Sequence, residues 1–213
     1  MSKISSIVII EDHPIVREGL AAYFKSTGRF KVSGTVSTLD EAKEFLSKGL
    51  SSAAQLPDIL LLDIQLEDGL GLHIIPWLKS NLKNNTEQNQ KLPVMAVYST
   101  FDDFVHVSAA LGLGVMVYMS KRRSAGELEK ALLQALEGKT FIDDSVEAKL
   151  HTAKDLFSLL TNREAQILTM VNSGLSNKQI ASQLGINLRT VQNIIYCVYD
   201  KTGIRSRQEL REL

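Results

Sequence analysis

The run Pro57-Asp58-Ile59-Leu60-Leu61-Leu62-Asp63 decides the fold. Its four consecutive apolar residues show no alternation, which suits a strand covered on both faces, as in a parallel sheet with helices above and below. The run stops at a carboxylate. In open α/β sheets the ligand crevice lies beyond the carboxyl ends of the strands, which puts Asp63 at a crevice mouth. A lone Asp there serves equally well as a turn residue. A second acidic strand end, Ile7-Val8-Ile9-Ile10-Glu11-Asp12, tips the balance. With these strands as parallel neighbours, three carboxylates converge on one edge. Like charges that close push one group toward neutrality unless a cation sits among them. Mg²⁺ takes a few carboxylates together with phosphate oxygens. Glu11, Asp12 and Asp63 therefore read as a Mg²⁺-assisted phosphoryl site, with Asp63 the candidate nucleophile, a known role for aspartate.

Outward from that site, strands and helices alternate. A strand over about 4–10 precedes a helix that opens at Pro14 and ends at Gly28. Phe30, Val32 and Val36 mark a weaker strand, and Thr38 with Glu41 forms a capping box for a helix ending near Gly49. A turn-rich loop, Ile64–Gly71, follows Asp63 and leads to a helix holding Leu72, Ile75, Trp77 and Leu78. The stretch from Asn81 to Lys91 is polar and reads as a helix end and loop. Pro93–Tyr98 is a fourth strand, closed by Ser99-Thr100, and Thr100-Phe101-Asp102-Asp103 caps the next helix. Val115–Met119 is a fifth strand, closed by Ser120-Lys121, and Ser124 with Glu127 makes another capping box. Five alternations predict a doubly wound α/β domain with a five-stranded parallel sheet.

Residues 138–156 change character and read as a linker, partly helical. Beyond them the strand signals stop. Thr161 with Glu164 is a capping box, Gly174 breaks that helix, a short helix from Ser176 ends at Gly185, and Asn187 caps a longer one ending at Gly203. A last short helix carries Leu210 and Leu213. Two helices joined by a glycine turn form the helix-turn-helix pattern, and Lys178, Arg189 and Lys201 fall on them.

Composition sets bounds. The 213 residues suffice for one large or two ordinary domains, and 24 basic against 24 acidic residues with 44% hydrophobic content are ordinary for a globular protein. The balance conceals an asymmetry. Residues 156–213 hold seven Lys/Arg against four Asp/Glu, a net +3 that favours an anionic partner. One cysteine, Cys197, excludes an internal disulfide framework and reads as a small packing residue. The four histidines are scattered along the sequence and suggest surface or turn positions rather than a metal cluster. No apolar run approaches the roughly 20 residues of a membrane span. Met1–Ser6 leads straight into the first strand without a secretory leader, so the expected location is cytoplasmic.

At this point the chain resembles a response regulator of the NarL/FixJ class. Residues 4–136 are similar to a two-component receiver domain, on Glu11-Asp12, Asp63, Ser99, Tyr118 and Lys121 at the strand ends. Residues 157–213 resemble the LuxR-type helix-turn-helix, on Leu160-Thr161-Asn162-Arg163-Glu164, Gly174 through Ala181, and Thr190-Val191. The resemblance implies a receiver over 1–137 (a flavodoxin-like fold), a linker over 138–156 and an all-α DNA-binding domain over 157–213. It implies that Asp63 accepts a phosphoryl group from a sensor histidine kinase. Mg²⁺ would be held by Glu11, Asp12, Asp63 and the backbone carbonyl of Gln65. Ser99, Tyr118 and Lys121 would bind the phosphoryl group and report it. The helix from about Leu188 would enter the major groove, Arg189 and Gln192 reading bases while Lys178, Thr190 and Lys201 touch phosphates. Active molecules would pair on double-stranded DNA through the last helix, without membrane attachment.

The sequence departs from the family pattern in places. Glu67 stands where receivers usually carry Pro, Gln192-Asn193-Ile194 where the recognition helix usually carries Lys-x-His, and Cys197 where Asn is common. A Gln at 192 favours adenine where a Lys favours guanine. Two rivals stay open beside this reading. One is a receiver that acts by protein interaction without phosphorylation. The other is a phosphatase resembling the haloacid dehalogenase type, but Gln65 stands where those enzymes carry a second Asp.

Overall fold

The computed structural model describes residues 4–51, 56–84, 91–204 and 206–208. It divides into two compact units, Met1–Phe101 with Ala109–Asp143, and Asp102–Ser108 with Asp144–Leu213.

The first unit is built on a parallel sheet. Its strands are β1 (Ser5–Ile10), β2 (Phe30–Val36), β3 (Ile59–Leu62), β6 (Val94–Ser99), β7 (Val117–Ser120) and β8 (Phe141–Ile142), in the order β2-β1-β3-β6-β7-β8. All are parallel. The central strands are the uninterrupted apolar runs, and they are buried on both faces. Ile7, Ile9, Ile59, Leu61, Ala96 and Val117 pack with Leu20 and Phe24 of α1 (Pro14–Thr27) and with Leu128 and Leu132 of α5 (Ala125–Leu136). The alternate residues Val8, Ile10, Leu60 and Leu62 point the other way, as the pleat requires, and are equally buried. Helices α2 (Leu39–Ser51) and α3 (Ile74–Asn84) pack against each other, and α4 (Phe104–Gly112) is divided between the two units after Ser108.

The sheet has six strands where the sequence predicts five. The sixth, β8, is two residues long, too short to show a period. It pairs Phe141 with Val117 and Ile142 with Tyr118. The stretch 138–156, read as a linker, therefore holds an edge strand and most of a 15-residue helix, α6 (Asp144–Ser158). Within the loop after Asp63, β4 (Gln65–Leu66) and β5 (Gly69–Leu70) close a small antiparallel hairpin around Glu67-Asp68, followed by a 3₁₀ turn at Gly71–His73.

In the second unit, α7 (Asn162–Asn172), α8 (Asn177–Leu184) and α9 (Leu188–Thr202) enclose a core of Ile167, Leu168, Val171, Ile180, Val191 and Val198. Thr161 and Ser176 form capping boxes with Glu164 and Gln179, and Asn187 caps α9. The expected last helix with Leu210 and Leu213, and most of the polar loop after α3, lie outside the described residues. Among the described residues no helix is long and apolar enough to cross a membrane.

Candidate functional site

Strand order reverses between β1 and β3: the chain leaves β1 for one edge, then returns past it to build the other. Ligands bind at such switch points. The register sets Ile10 beside Leu62, and the Asp63 amide donates to the Ile10 carbonyl at 2.9 Å, so Glu11 and Asp63 leave the sheet side by side. Asp63 is buried, with both carboxylate oxygens engaged. Oδ1 accepts from Ser99 Oγ and from the Ile64 amide, each at 2.6 Å, while Oδ2 accepts from Lys121 Nζ at 2.6 Å. The same ammonium reaches both oxygens of Glu11, at 2.8 and 2.9 Å.

Burial raises the Glu11 pKa, the Asp63 charge adds to that, and the Lys121 hydrogen bond works against it. For Lys121, burial opposes the charge, but the carboxylates of Asp63 and Glu11 outweigh it and hold the pKa above the ordinary lysine value. The ammonium is thus the resident cation of an acidic pocket, as like-charge crowding demands. Asp12 opens to the cleft with His13, whose Nδ1 lies 2.7 Å from Asp12 Oδ1. Ligand atoms of Glu11, Asp12, His13 and Asp63 all lie within 4.8 Å of one another. This oxygen-rich set fits a hard divalent cation such as Mg²⁺. The cleft, about 720 Å³, is lined further by Gln65, Glu67, Thr100 and Phe101.

The remaining expected residues fall as follows. Ser99 is fully buried against Asp63. Tyr118 is fully buried, with its hydroxyl donating to the Phe101 carbonyl at 2.6 Å. Gln65 and Glu67 are exposed on the hairpin. Two contributors were missed by sequence reading. His13 sits at the cleft although the histidines look scattered in sequence. Arg17, one turn into α1, donates to the Glu11 and Asp12 carbonyls at 2.7 and 3.1 Å and fixes the acidic loop. Its position four residues after His13 is the available signal, since one helical turn returns it to the loop.

On α9 the exposed face runs Arg189, Gln192, Asn193, Tyr196, Cys197, Asp200. Arg189 and Gln192 stand on it as expected, and Lys178 is exposed on α8. Thr190 instead turns its hydroxyl to Asn187 Oδ1 at 2.8 Å, and Lys201 pairs with Glu164 at 2.7 Å. Cys197 is exposed, not packed. Tyr196, 73% exposed in the middle of the face, went unnoticed because an aromatic at helical spacing reads as core.

Two family models match the chain. Residues 7–133 match the response regulator receiver domain, and residues 158–213 match the bacterial regulatory proteins of the luxR family. The chain is a response regulator. It belongs to the receiver-plus-LuxR class, a DNA-binding transcriptional regulator rather than an enzyme. The response regulator protein VraR of Staphylococcus aureus is 26% identical over 208 residues, covering 95% of this regulator and 92% of VraR. The RcsB structure from Salmonella enterica serovar Typhimurium, bound to a promoter with the phosphomimetic BeF₃⁻, superposes with a TM-score of 0.70 at 21% identity. The match covers 98% of this regulator and 97% of RcsB. The response regulator ChrA of a heme-sensing two-component system gives a TM-score of 0.54 at 26% identity, over 99% and 96% of the two chains. The regulator's receiver site could hold a metal ion, as receiver domains hold Mg²⁺.

Proposed function

We propose that this regulator is switched by phosphorylation of Asp63 from a phosphohistidine on a sensor kinase, and that the phosphorylated form binds DNA as a pair of copies. The observation that carries this reading is the clamp on the Asp63 carboxylate, a buried strand-end acid gripped by Lys121 and Ser99 at 2.6 Å each. An Asp63 oxygen forms the new bond to phosphorus as the phosphorus–nitrogen bond breaks and imidazole leaves. Phosphoryl transfer of this kind is mostly positioning and charge stabilisation. Glu11, Asp12 and Asp63, with the Gln65 carbonyl, would hold Mg²⁺, which neutralises charge on the transferred group. Lys121 and Ser99 then shift from the carboxylate to the phosphoryl oxygens. The hydroxyl donates and the ammonium pairs, while Tyr118 lines the adjoining interior. Glu67, at the cleft mouth, adds negative charge beside the site.

On the output side, Arg189 and Gln192 are proposed to read base edges in the major groove. Lys178 supplies phosphate contacts; Thr190 and Lys201 do so only by giving up the intramolecular partners described above. The paired α9 helices would each read one of two DNA half-sites.

The test is mass spectrometry of the full chain after incubation with phosphoramidate and Mg²⁺. One phosphoryl adduct should appear in the parent and be absent from Asp63→Asn. Parental labelling of Asp63→Asn would overturn the assignment, and an unlabelled parent would favour the phosphorylation-independent receiver.

A further inference from the structure

The carboxylate of Asp143 takes no part in the site described above, yet it is 1% exposed and held by a two-pronged contact. Arg123 Nε donates to Asp143 Oδ2 and Nη2 to Oδ1, each at 2.9 Å. A buried charge persists only when paired and hydrogen-bonded, and the planar guanidinium fork gives a directional grip that a lysine cannot reproduce. Two placements give the pair its meaning. Arg123 stands two residues after Lys121, on the loop that leaves β7. Asp143 is the last residue of the first compact unit, and α6 begins at the next residue, Asp144.

We propose that Arg123 and Asp143 carry the phosphorylation state of Asp63 to the start of α6, with Arg123 the positioning residue between Lys121 and that helix. The proposal rests on Asp63 phosphorylation. Two of the three residues implicated in reading that event, Tyr118 and Lys121, adjoin Asp143 along the chain's hydrogen bonds. The Asp143 amide donates to the Tyr118 carbonyl at 2.9 Å, and its side chain is bound two residues from Lys121. When a phosphoryl group bearing roughly two negative charges is joined to a carboxylate oxygen of Asp63, the bonds from Lys121 to Asp63 and Glu11 must be redrawn. The loop from 121 to 123 shifts with them, and Asp143, gripped by the guanidinium, follows. Packed elements answer such a shift by switching between discrete arrangements.

The loop is held by backbone bonds as well as by the guanidinium. The Arg123 amide donates to the Ser120 carbonyl at 3.0 Å, and the Tyr98 hydroxyl donates to the Arg123 carbonyl at 2.7 Å. Ser124 and Glu127 close a capping box just beyond. Removing the Arg123 head therefore keeps these backbone bonds while taking away both its prongs on Asp143 and its contact with Glu127 at 3.3 Å, whereas Asp143→Asn leaves the Glu127 contact intact; agreement between the two variants separates the coupling role from a merely structural one.

The experiment compares the full-length parent with Arg123→Gln, Arg123→Lys and Asp143→Asn, with and without phosphoramidate and Mg²⁺. The DNA probe is a duplex enriched from a randomised pool by the donor-treated parent. Asp63 labelling should stay within about twofold of the parent in all three variants. Typical coupling between sites is about 5- to 150-fold. The donor-induced gain in DNA affinity should reach that range in the parent and fall to within about twofold of unity in Arg123→Gln and Asp143→Asn. Arg123→Lys should recover only part of the gain. Amide hydrogen exchange over residues 143–147 gives a readout free of DNA: labelling should alter it in the parent and not in Arg123→Gln. A parental DNA response in Arg123→Gln, unaltered exchange in a labelled parent, or a tenfold loss of labelling in Arg123→Gln would each overturn the proposal. A parent that takes no label fails the phosphorylation reading instead, a result the mass spectrum distinguishes at once.

Discussion

The Asp63 backbone is approached so closely at Gly71 that only a hydrogen atom fits between them. A Cβ added at Gly71 would lie 1.9 Å from the Asp63 carbonyl oxygen, while the Gly71 amide donates to the Ile64 carbonyl at 2.7 Å. The obstacle is backbone, which cannot swing aside as a side-chain tip can. Gly71→Ala should therefore destabilise the chain by at least about 2 kcal/mol, in the range of forced overpacking. Gly19, inside α1 with nothing within 4 Å of its added Cβ, is the control. Gly19→Ala should be neutral or stabilising by up to about 1 kcal/mol. Urea unfolding of the two variants checks the contrast, and equal midpoints would contradict it. The acids Glu11, Asp12 and Asp63 are legible in the sequence because each ends an apolar run, so the strand itself announces the position. Gly71, Arg17 and the Arg123–Asp143 pair are not. Their roles depend on backbone approach and on pairings between loops, which no periodicity records.

At the scale of elements, the helix starts follow a common chemistry. Carboxylates at the N-termini of α2, α4, α5 and α7 have pKa values below the ordinary carboxylate range, as oriented backbone amides favour. The Ser37 amide lowers Glu41, and the Ser124 amide lowers Glu127. Burial works against the charge of Asp68, but the amides of Leu39 and Asp40 prevail. At Asp103 burial is likewise overcome, by His106. Glu164 is lowered first by Lys201 and then by the Thr161 amide. A depressed folded-state pKa contributes stability that is fully present above the ordinary value, 4.5 for Glu164, and is lost as pH falls through the folded value. Thermal unfolding followed from pH 7 to below 4 should show a Tm loss in the parent that Glu164→Gln lacks in part, because it begins without that charge. Parallel curves would contradict it.

The boxes at Ser124 and Thr161 are legible because the spacing S/T-x-x-E is local. The start of α2 is less so. Thr38 Oγ1 accepts from the Glu41 amide as expected, but Glu41 returns to Ser37, and Asp68 caps the helix from across the hairpin. Strand β8 leaves no pattern in two residues, and only its pairing with β7 defines it.

For the whole molecule, charge limits what one copy can do on DNA. The C-terminal 58 residues carry a net +3, but Lys201 is paired with Glu164, and Arg207 binds the Asn177 side chain at 2.7 Å and the Leu175 carbonyl at 2.5 Å. Arg189 and Lys178 remain exposed on α9 and α8, while Asp200 stands on the same exposed face as Arg189. The proposed function therefore has two copies gather the phosphate contacts of a tight complex, with the receiver deciding when they gather. The most direct measurement is the affinity of the full chain for pool-enriched duplex, titrated against salt with and without phosphoramidate and Mg²⁺, for the parent and Asp63→Asn. A dimer neutralising about six phosphates gives a log–log salt slope near −5. The parent should show that slope and a donor-induced rise in affinity, and Asp63→Asn should show no rise. An Asp63→Asn chain that responds as the parent does, or binding indifferent to salt, would contradict the proposed function.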